Sequence, residues 1–169
     1  MAKAKKPAKP KITAGHMDRV LRRHINYMTK KLIPEASIPF VRGRDSYRAD
    51  YILMSQAGYA TEFEIKISMS DWKADLKKPK WEQMPDWINQ FIYVVPEHLG
   101  IPDWIPDFAG VWHVHGYVGT IDARVTVARA PKKRGKTKAP QDLIDKWMYN
   151  LYFRYWSLRA NRDKVLPML

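Results

Sequence analysis

"SYRADYILMSQAGYATEFEIKIS", residues 46–68, holds two runs of alternating character on either side of a Ser-Gln-Ala-Gly break. A strand sends residues i, i+2 and i+4 to one face, so the alternation predicts two strands, and the break predicts the turn of a hairpin. In the second run Glu62, Glu64 and Lys66 project together, opposite Phe63, Ile65 and Ile67. The apolar set reads as core. The charged set is either a solvated ladder or a place where chemistry happens, and the hairpin register decides what joins it. With the turn at Ser55 to Tyr59, Asp50 falls directly opposite Glu64, with Cβ atoms about 5 Å apart. Two carboxylates that close repel unless a cation or a shared proton joins them. With Lys66 next along the face, the arrangement suits a divalent metal held by oxygen ligands beside an ammonium. The chain has three acid-x-Lys triplets, and only Glu64-Ile65-Lys66 lies on a predicted strand. The others, Asp71-Trp72-Lys73 and Asp75-Leu76-Lys77, lie on a predicted helix, where i and i+2 point apart.

Outward from the hairpin the pattern alternates between periods. Met17, Val20, Leu21, His24, Ile25, Met28 and Leu32 recur at helical spacing, predicting a helix over 16–32 that stops at Pro34. "SMSDWKADLKK" reads as a short helix capped by Ser68 or Ser70 and ended by Pro79. "QFIYVV" is nearly continuous in apolar residues, the mark of a strand buried on both faces. "AGVWHVHGYV" and "IDARVTVARA" read as two more strands. A last helix over 141–162 aligns Leu143, Ile144, Trp147, Met148, Leu151, Tyr155 and Leu158. The order is αββαβ with an added hairpin and a C-terminal helix, which makes an α/β chain with a mixed sheet. "PDWI" occurs at 85–88 and 102–105, and Pro-Asp turn chemistry accounts for the echo without a repeat architecture.

At 169 residues one domain is expected over 14–169, preceded by a basic tail at 1–13. The longest apolar run is five residues, Phe91 to Val95, far short of the ~20 a membrane helix needs. No hydrophobic segment follows the basic N-terminus, so no secretory signal is expected. The absence of cysteine excludes disulfides and thiolate metal sites and fits a reducing cytosol. The net charge is +13, and its placement is uneven. Lys3, Lys5, Lys6, Lys9 and Lys11 form one acid-free stretch, and Lys132, Lys133, Arg134, Lys136 and Lys138 form another. These ten cations account for all but three of the net charge. Both stretches are expected to be mobile arms that neutralise nucleic-acid phosphates.

The motifs "RAD", "EFEIKIS", "DWKADLKKPKW" and "YVVP" resemble those of the PD-(D/E)XK nuclease superfamily, and most closely its MmcB-like DNA-repair branch. The matching positions are Arg48-Ala49-Asp50, Glu64 to Ser68, Asp71-Trp72, Asp75 and Tyr93 to Pro96, and "DFAGVWHV" is similar to the strand that follows. The resemblance spans residues 17–118. It departs at Ala49, where many members carry proline, and at Lys80-Trp81, which follows extra residues. What it implies is a restriction-endonuclease-like core that hydrolyses DNA phosphodiesters with Mg²⁺ or Mn²⁺. Asp50 and Glu64 would hold the metal with the Ile65 carbonyl, and Lys66 would orient a water or help deprotonate it. Glu35 would be a further ligand, and Arg48 would join the basic segments on DNA, branched or single-stranded forms included. It further implies a cytoplasmic protein, bacterial or phage-encoded, working in repair, recombination or phage DNA processing. The alternative is a module that keeps the fold and binds nucleic acid without cleaving it.

The remaining candidates read blandly. Glu62 is expected at the surface, and Asp71 and Asp75 on a solvated helix face. His113 and His115 share a strand face but lack a third ligand, so both read as structural. The seven tryptophans read mostly as core or loop anchors, with one or two as stacking surfaces for unpaired bases.

Overall fold

The computed structural model describes residues 12–116, 118 and 121–165. Helix α1 (Ala14–Ile25) begins at Thr13, whose hydroxyl accepts the His16 amide at 3.1 Å, and ends at Asn26 in the left-handed conformation (φ 60°). Strand β1 (Lys31–Pro39) comes next, where the sequence pattern predicts the end of a long first helix. Asn26 breaks the helix early. Pro34 and Pro39 are tolerated because β1 is an edge strand, where a missing donor costs the ladder little. Glu35, with φ 49°, shifts the alternation so that Ile33, Ala36 and Ile38 all reach the core.

The hairpin forms as its sequence predicts. β2 (Ser46–Met54) and β3 (Ala60–Ile65) pair antiparallel with Tyr51 opposite Phe63 and Ile52 opposite Glu62. The Ser55 amide closes the turn on the Tyr59 carbonyl at 2.9 Å, and Gly58 supplies the positive φ it requires (87°). Helix α2 (Met69–Lys73) is capped by Ser68, which accepts the Asp71 amide at 3.2 Å, and runs on as a 3₁₀ turn over Ala74–Lys77. β4 (Ile88–Pro96) lies parallel to β3, β5 (Gly110–His115) parallel to β4, and β6 (Arg124–Arg129) antiparallel to β5. The six strands follow one another in chain order across a single mixed sheet, and helix α3 (Gln141–Val165) completes an α/β fold.

Two apolar layers flank the sheet. On one face Met17, Val20, Leu21 and Ile25 of α1 pack with Phe63, Ile92 and Val94. On the other, Phe91, Tyr93 and Val95 meet Trp72, Trp87 and Trp147. β4 thus gives alternate residues to both layers, as its unbroken apolar run predicts. α3 docks through its first three turns: Trp147 is buried and donates its indole N–H to the Ser37 carbonyl at 2.9 Å. Met148, Tyr155 and Leu158, expected on the buried stripe, are instead exposed. No helix among the described residues is long and apolar enough to cross a membrane.

The segment 131–139 is not the mobile arm its composition suggests. Arg134 donates to the carbonyls of Pro85, Ile88 and Met84 at 3.0–3.1 Å and lies over the Phe108 ring at 5.0 Å. Asn89 adds hydrogen bonds to the Gly135 and Thr137 carbonyls. A Cβ on Gly135 would meet the Asp86 carbonyl oxygen at 2.6 Å, so only glycine fits there. Arg134→Ala is therefore expected to cost about 3 kcal/mol of stability in urea unfolding, because it removes three hydrogen bonds from a charged donor. Lys133→Ala and Lys136→Ala, at exposed positions, should stay within ~0.5 kcal/mol.

Candidate active site

The hairpin register extends to the pair that matters. One residue beyond the Tyr51–Phe63 pair, the Asp50 carboxylate accepts the Ile65 amide through Oδ2 at 2.7 Å. Burial raises the Asp50 pKa, the nearby Glu64 charge raises it further, and the Ile65 amide and the lysines offset only part of this.

The charged face of β3 is not solvated. Glu62 is fully buried, Glu64 and Lys66 nearly so. They belong to a chain of ion pairs inside the protein. Lys80 Nζ bridges Glu62 Oε1 and Glu64 Oε2, at 2.7 Å each, and Lys66 Nζ bridges Glu64 Oε1 and Asp75 Oδ1, at 3.0 Å each. Tyr47 donates to Glu62 at 2.6 Å, and Lys78 and Tyr93 donate to Asp75 at 2.9 and 3.0 Å. Lys80 Nζ also lies 4.8 Å from the Tyr47 ring centroid and 4.9 Å from that of Phe91. Expectation is corrected at two points: Glu62 is not a surface residue, and Asp75 is not on a solvated helix face. α2 and its 3₁₀ turn fold back across β3, which drives Asp75 onto Lys66, while Asp71 stays exposed as expected.

The electrostatics follow from this chain. Burial alone lowers the pKa of Lys80 and of Lys66, but the acids beside each outweigh it, so both are held above the usual lysine value and stay charged. Burial raises Glu62 above the usual carboxylate range despite Lys80. Asp75 goes the other way: burial raises it, but hydrogen bonds from Lys78 and Lys66 hold it below its ordinary value.

Asp50 and Ile65 open onto a cleft of about 530 Å³. Asp18, Glu35 and Asp71 also line it, with Arg154 of α3 as its cation. Glu35 pairs with Arg154 at 2.8 Å, and Asp18 is held by Arg22 and by the Tyr51 hydroxyl. Among the described residues no three acidic or histidine side chains converge as a metal cage. Of the expected metal ligands, Asp50 and Ile65 line the cleft; Glu64 does not, and its two oxygens face Lys66 and Lys80.

The other nominated residues lie elsewhere. Lys132, Lys133, Arg134, Lys136 and Lys138 sit at the far end of β3, where the Ala139 amide bonds the Gly58 carbonyl. The strand separates them from Ile65 by ~20 Å. Arg134 points into the protein, Arg48 is exposed on β2, and Lys5, Lys6 and Lys9 lie outside the described residues. His115 has both ring nitrogens engaged, by Glu97 and Thr126, which fits a structural role. The residue that sequence reasoning passed over is Lys80. Its signal was the Lys-Trp pair within "DWKADLKKPKW", and Glu62 carried a second one by sharing the face of Glu64.

No protein-family model matches the chain, and no curated protein matches it. Among solved structures the fold is similar to that of a protein of unknown function from Silicibacter pomeroyi, with a TM-score of 0.63 and 22% identity, covering 89% of this chain and 94% of that one. At that identity the similarity shows the fold alone.

Proposed function

We propose that the chain is a metal-dependent nuclease that hydrolyses DNA phosphodiesters at the Asp50–Glu64–Lys66 site. The observation that supports this reading is the hairpin register continued by the Ile65 amide on Asp50, with Asp50 and Ile65 lining an acidic cleft one residue from Glu64 and Lys66. A phosphate entering that cleft meets carboxylates and is repelled unless a cation accompanies it. Asp50, Glu64 and the Ile65 carbonyl would hold Mg²⁺ or Mn²⁺, and when bound such an ion stabilises charge on the phosphate and lowers the pKa of a bound water. Lys66, kept protonated by Glu64 and Asp75, supplies fixed positive charge rather than a base. Asp75 and Lys80 hold Lys66 and Glu64 in place.

A second reading, a nucleic-acid-binding module that does not cleave, is favoured by one observation: both Glu64 oxygens already face ammonium groups. A digestion panel of single-stranded, duplex and branched DNA in Mn²⁺, with an EDTA control, separates the two. Cleavage that requires the metal supports the nuclease; binding indifferent to metal, with no cleavage, supports the module.

The N-terminal lysines give a separate test. Thr13 caps α1 and Ile12 packs against its core, so a tail deletion belongs before Ile12. Removing residues 1–11, with five lysines, should leave the melting temperature nearly unchanged. It should also flatten the salt dependence of DNA binding by up to about five charges' worth.

A further inference from the structure

Beyond Trp147 the helix α3 leaves the sheet, and its surface changes character. Tyr149, Tyr152, Phe153 and Trp156 are spaced i, i+3, i+4, i+7, which makes one stripe turned away from the half-buried Leu143, Ile144 and Leu151. These rings are between 49% and 66% exposed, so they are not core. They do touch one another: Tyr152 meets Phe153 and Trp156 edge-on, at centroid distances of 5.5 and 6.2 Å. A contiguous aromatic patch of this kind marks a binding surface.

Charge says what covers it. The helix carries Lys146, Arg154, Arg159, Arg162 and Lys164 against Asp142, Asp145 and Asp163, a net +2 in a chain of net +13. A second copy of the chain would set one net-positive helix against another, whereas a polyanion complements the charge. The helix also forms a wall of the candidate cleft, because Arg154 reaches Glu35 from it. The stripe lies on the outer side of that helix, because Arg154 shares the docked face with Trp147 and Leu151.

We infer that the stripe Tyr149–Tyr152–Phe153–Trp156 is a stacking platform for the unpaired bases of single-stranded DNA. The inference rests on the proposed nucleic-acid substrate and narrows it to single strands. Base–aromatic stacking needs no sequence and no duplex, since every base has a π face. Duplex DNA, with its bases already stacked, gains nothing from such a platform.

The test is fluorescence anisotropy of the full chain with a labelled 20-nucleotide oligo-dT and with a 20-base-pair duplex, both in EDTA. Tyr152→Ala with Trp156→Ala should weaken oligo-dT binding at least about tenfold and duplex binding less than about twofold. The Tyr152→Leu, Trp156→Leu pair, which keeps apolar area but no π face, should bind as poorly as the alanine pair. All of these side chains are exposed, so the melting temperature should hold. Equal losses on both DNAs, no loss, or rescue by leucine would overturn the platform. So would a wild-type dimer in sedimentation that the alanine pair splits, since that marks a self-interface. Cleavage plays no part in this readout. A protein that binds as described but never cuts in Mn²⁺ refutes the nuclease reading alone, and one that cuts but shows no stripe effect refutes the platform alone.

Discussion

Lys80→Met is expected to lower the unfolding free energy by about 3–5 kcal/mol at neutral pH, more than Arg134→Ala or any change at Glu64. Lys80 is almost fully buried and is the cation shared by Glu62 and Glu64, so its removal strands Glu62 in the interior and leaves Glu64 to Lys66 alone. The loss should depend on pH, with a sign fixed by Glu62. Its folded pKa lies above the reference value of 4.5, so its contribution is greatest below that value and declines as pH rises through the folded pKa. Without Lys80 the folded pKa moves further up. The deficit relative to wild type should therefore be smallest near the reference value of 4.5 and grow as pH rises in urea unfolding. Asp75 shifts downward, so its contribution is lost only below its reference value of 3.8 and stays constant over that window. Adding Glu62→Gln to Lys80→Met should recover part of the loss. A deficit independent of pH would show that Lys80 matters through packing on Tyr47 and Phe91 rather than through charge.

Glu64→Gln is expected to reduce Mn²⁺-dependent cleavage by on the order of a thousandfold or more, since it removes a ligand charge. From the sequence alone this substitution reads as harmless to the fold, and burial changes that expectation. Glu64 is the counter-charge of both Lys66 and Lys80, so glutamine should also cost about 1–3 kcal/mol. Activity must therefore be compared well below the variant's melting temperature. Lys66→Ala should abolish turnover yet keep Mn²⁺ affinity, because a protonated lysine is not a ligand. Calorimetry separates the two: Glu64→Gln should lose most of the Mn²⁺ heat, and Lys66→Ala should retain it. If both variants cleave at wild-type rate, the site lies elsewhere.

What the sequence made legible was local. The β2–β3 register followed from one turn and a period of two, the Ser68 cap from its position before Asp71, and the two-sided burial of β4 from an unbroken apolar run. β1 stayed hidden because Met28 and Leu32 continue the helical spacing and two prolines argue against a strand. Only its place at the sheet edge makes those prolines acceptable. Lys80 and Asp75 lie in a stretch whose course is set by tertiary packing over β3, so no periodicity marks them as interior. The 131–139 segment misled because Lys, Gly and Pro suggest mobility. Its order comes from one guanidinium reaching the carbonyls of Met84 and Pro85 before β4 and of Ile88 at its start. The exposed end of α3 was misread for the opposite reason: its apolar spacing continues past the point where the sheet ends.

The most direct test of a metal-dependent nuclease site at Asp50 is DNA cleavage in Mn²⁺ by wild type beside Asp50→Asn. Asp50 stands outside the buried ion-pair chain and makes one hydrogen bond among the described residues, so its substitution spares the fold more than any change at Glu64. The expected result is metal-dependent cleavage by wild type and none by a folded Asp50→Asn protein. Cleavage by Asp50→Asn at the wild-type rate, or no cleavage by wild type of single-stranded, duplex or branched DNA, would contradict such a site.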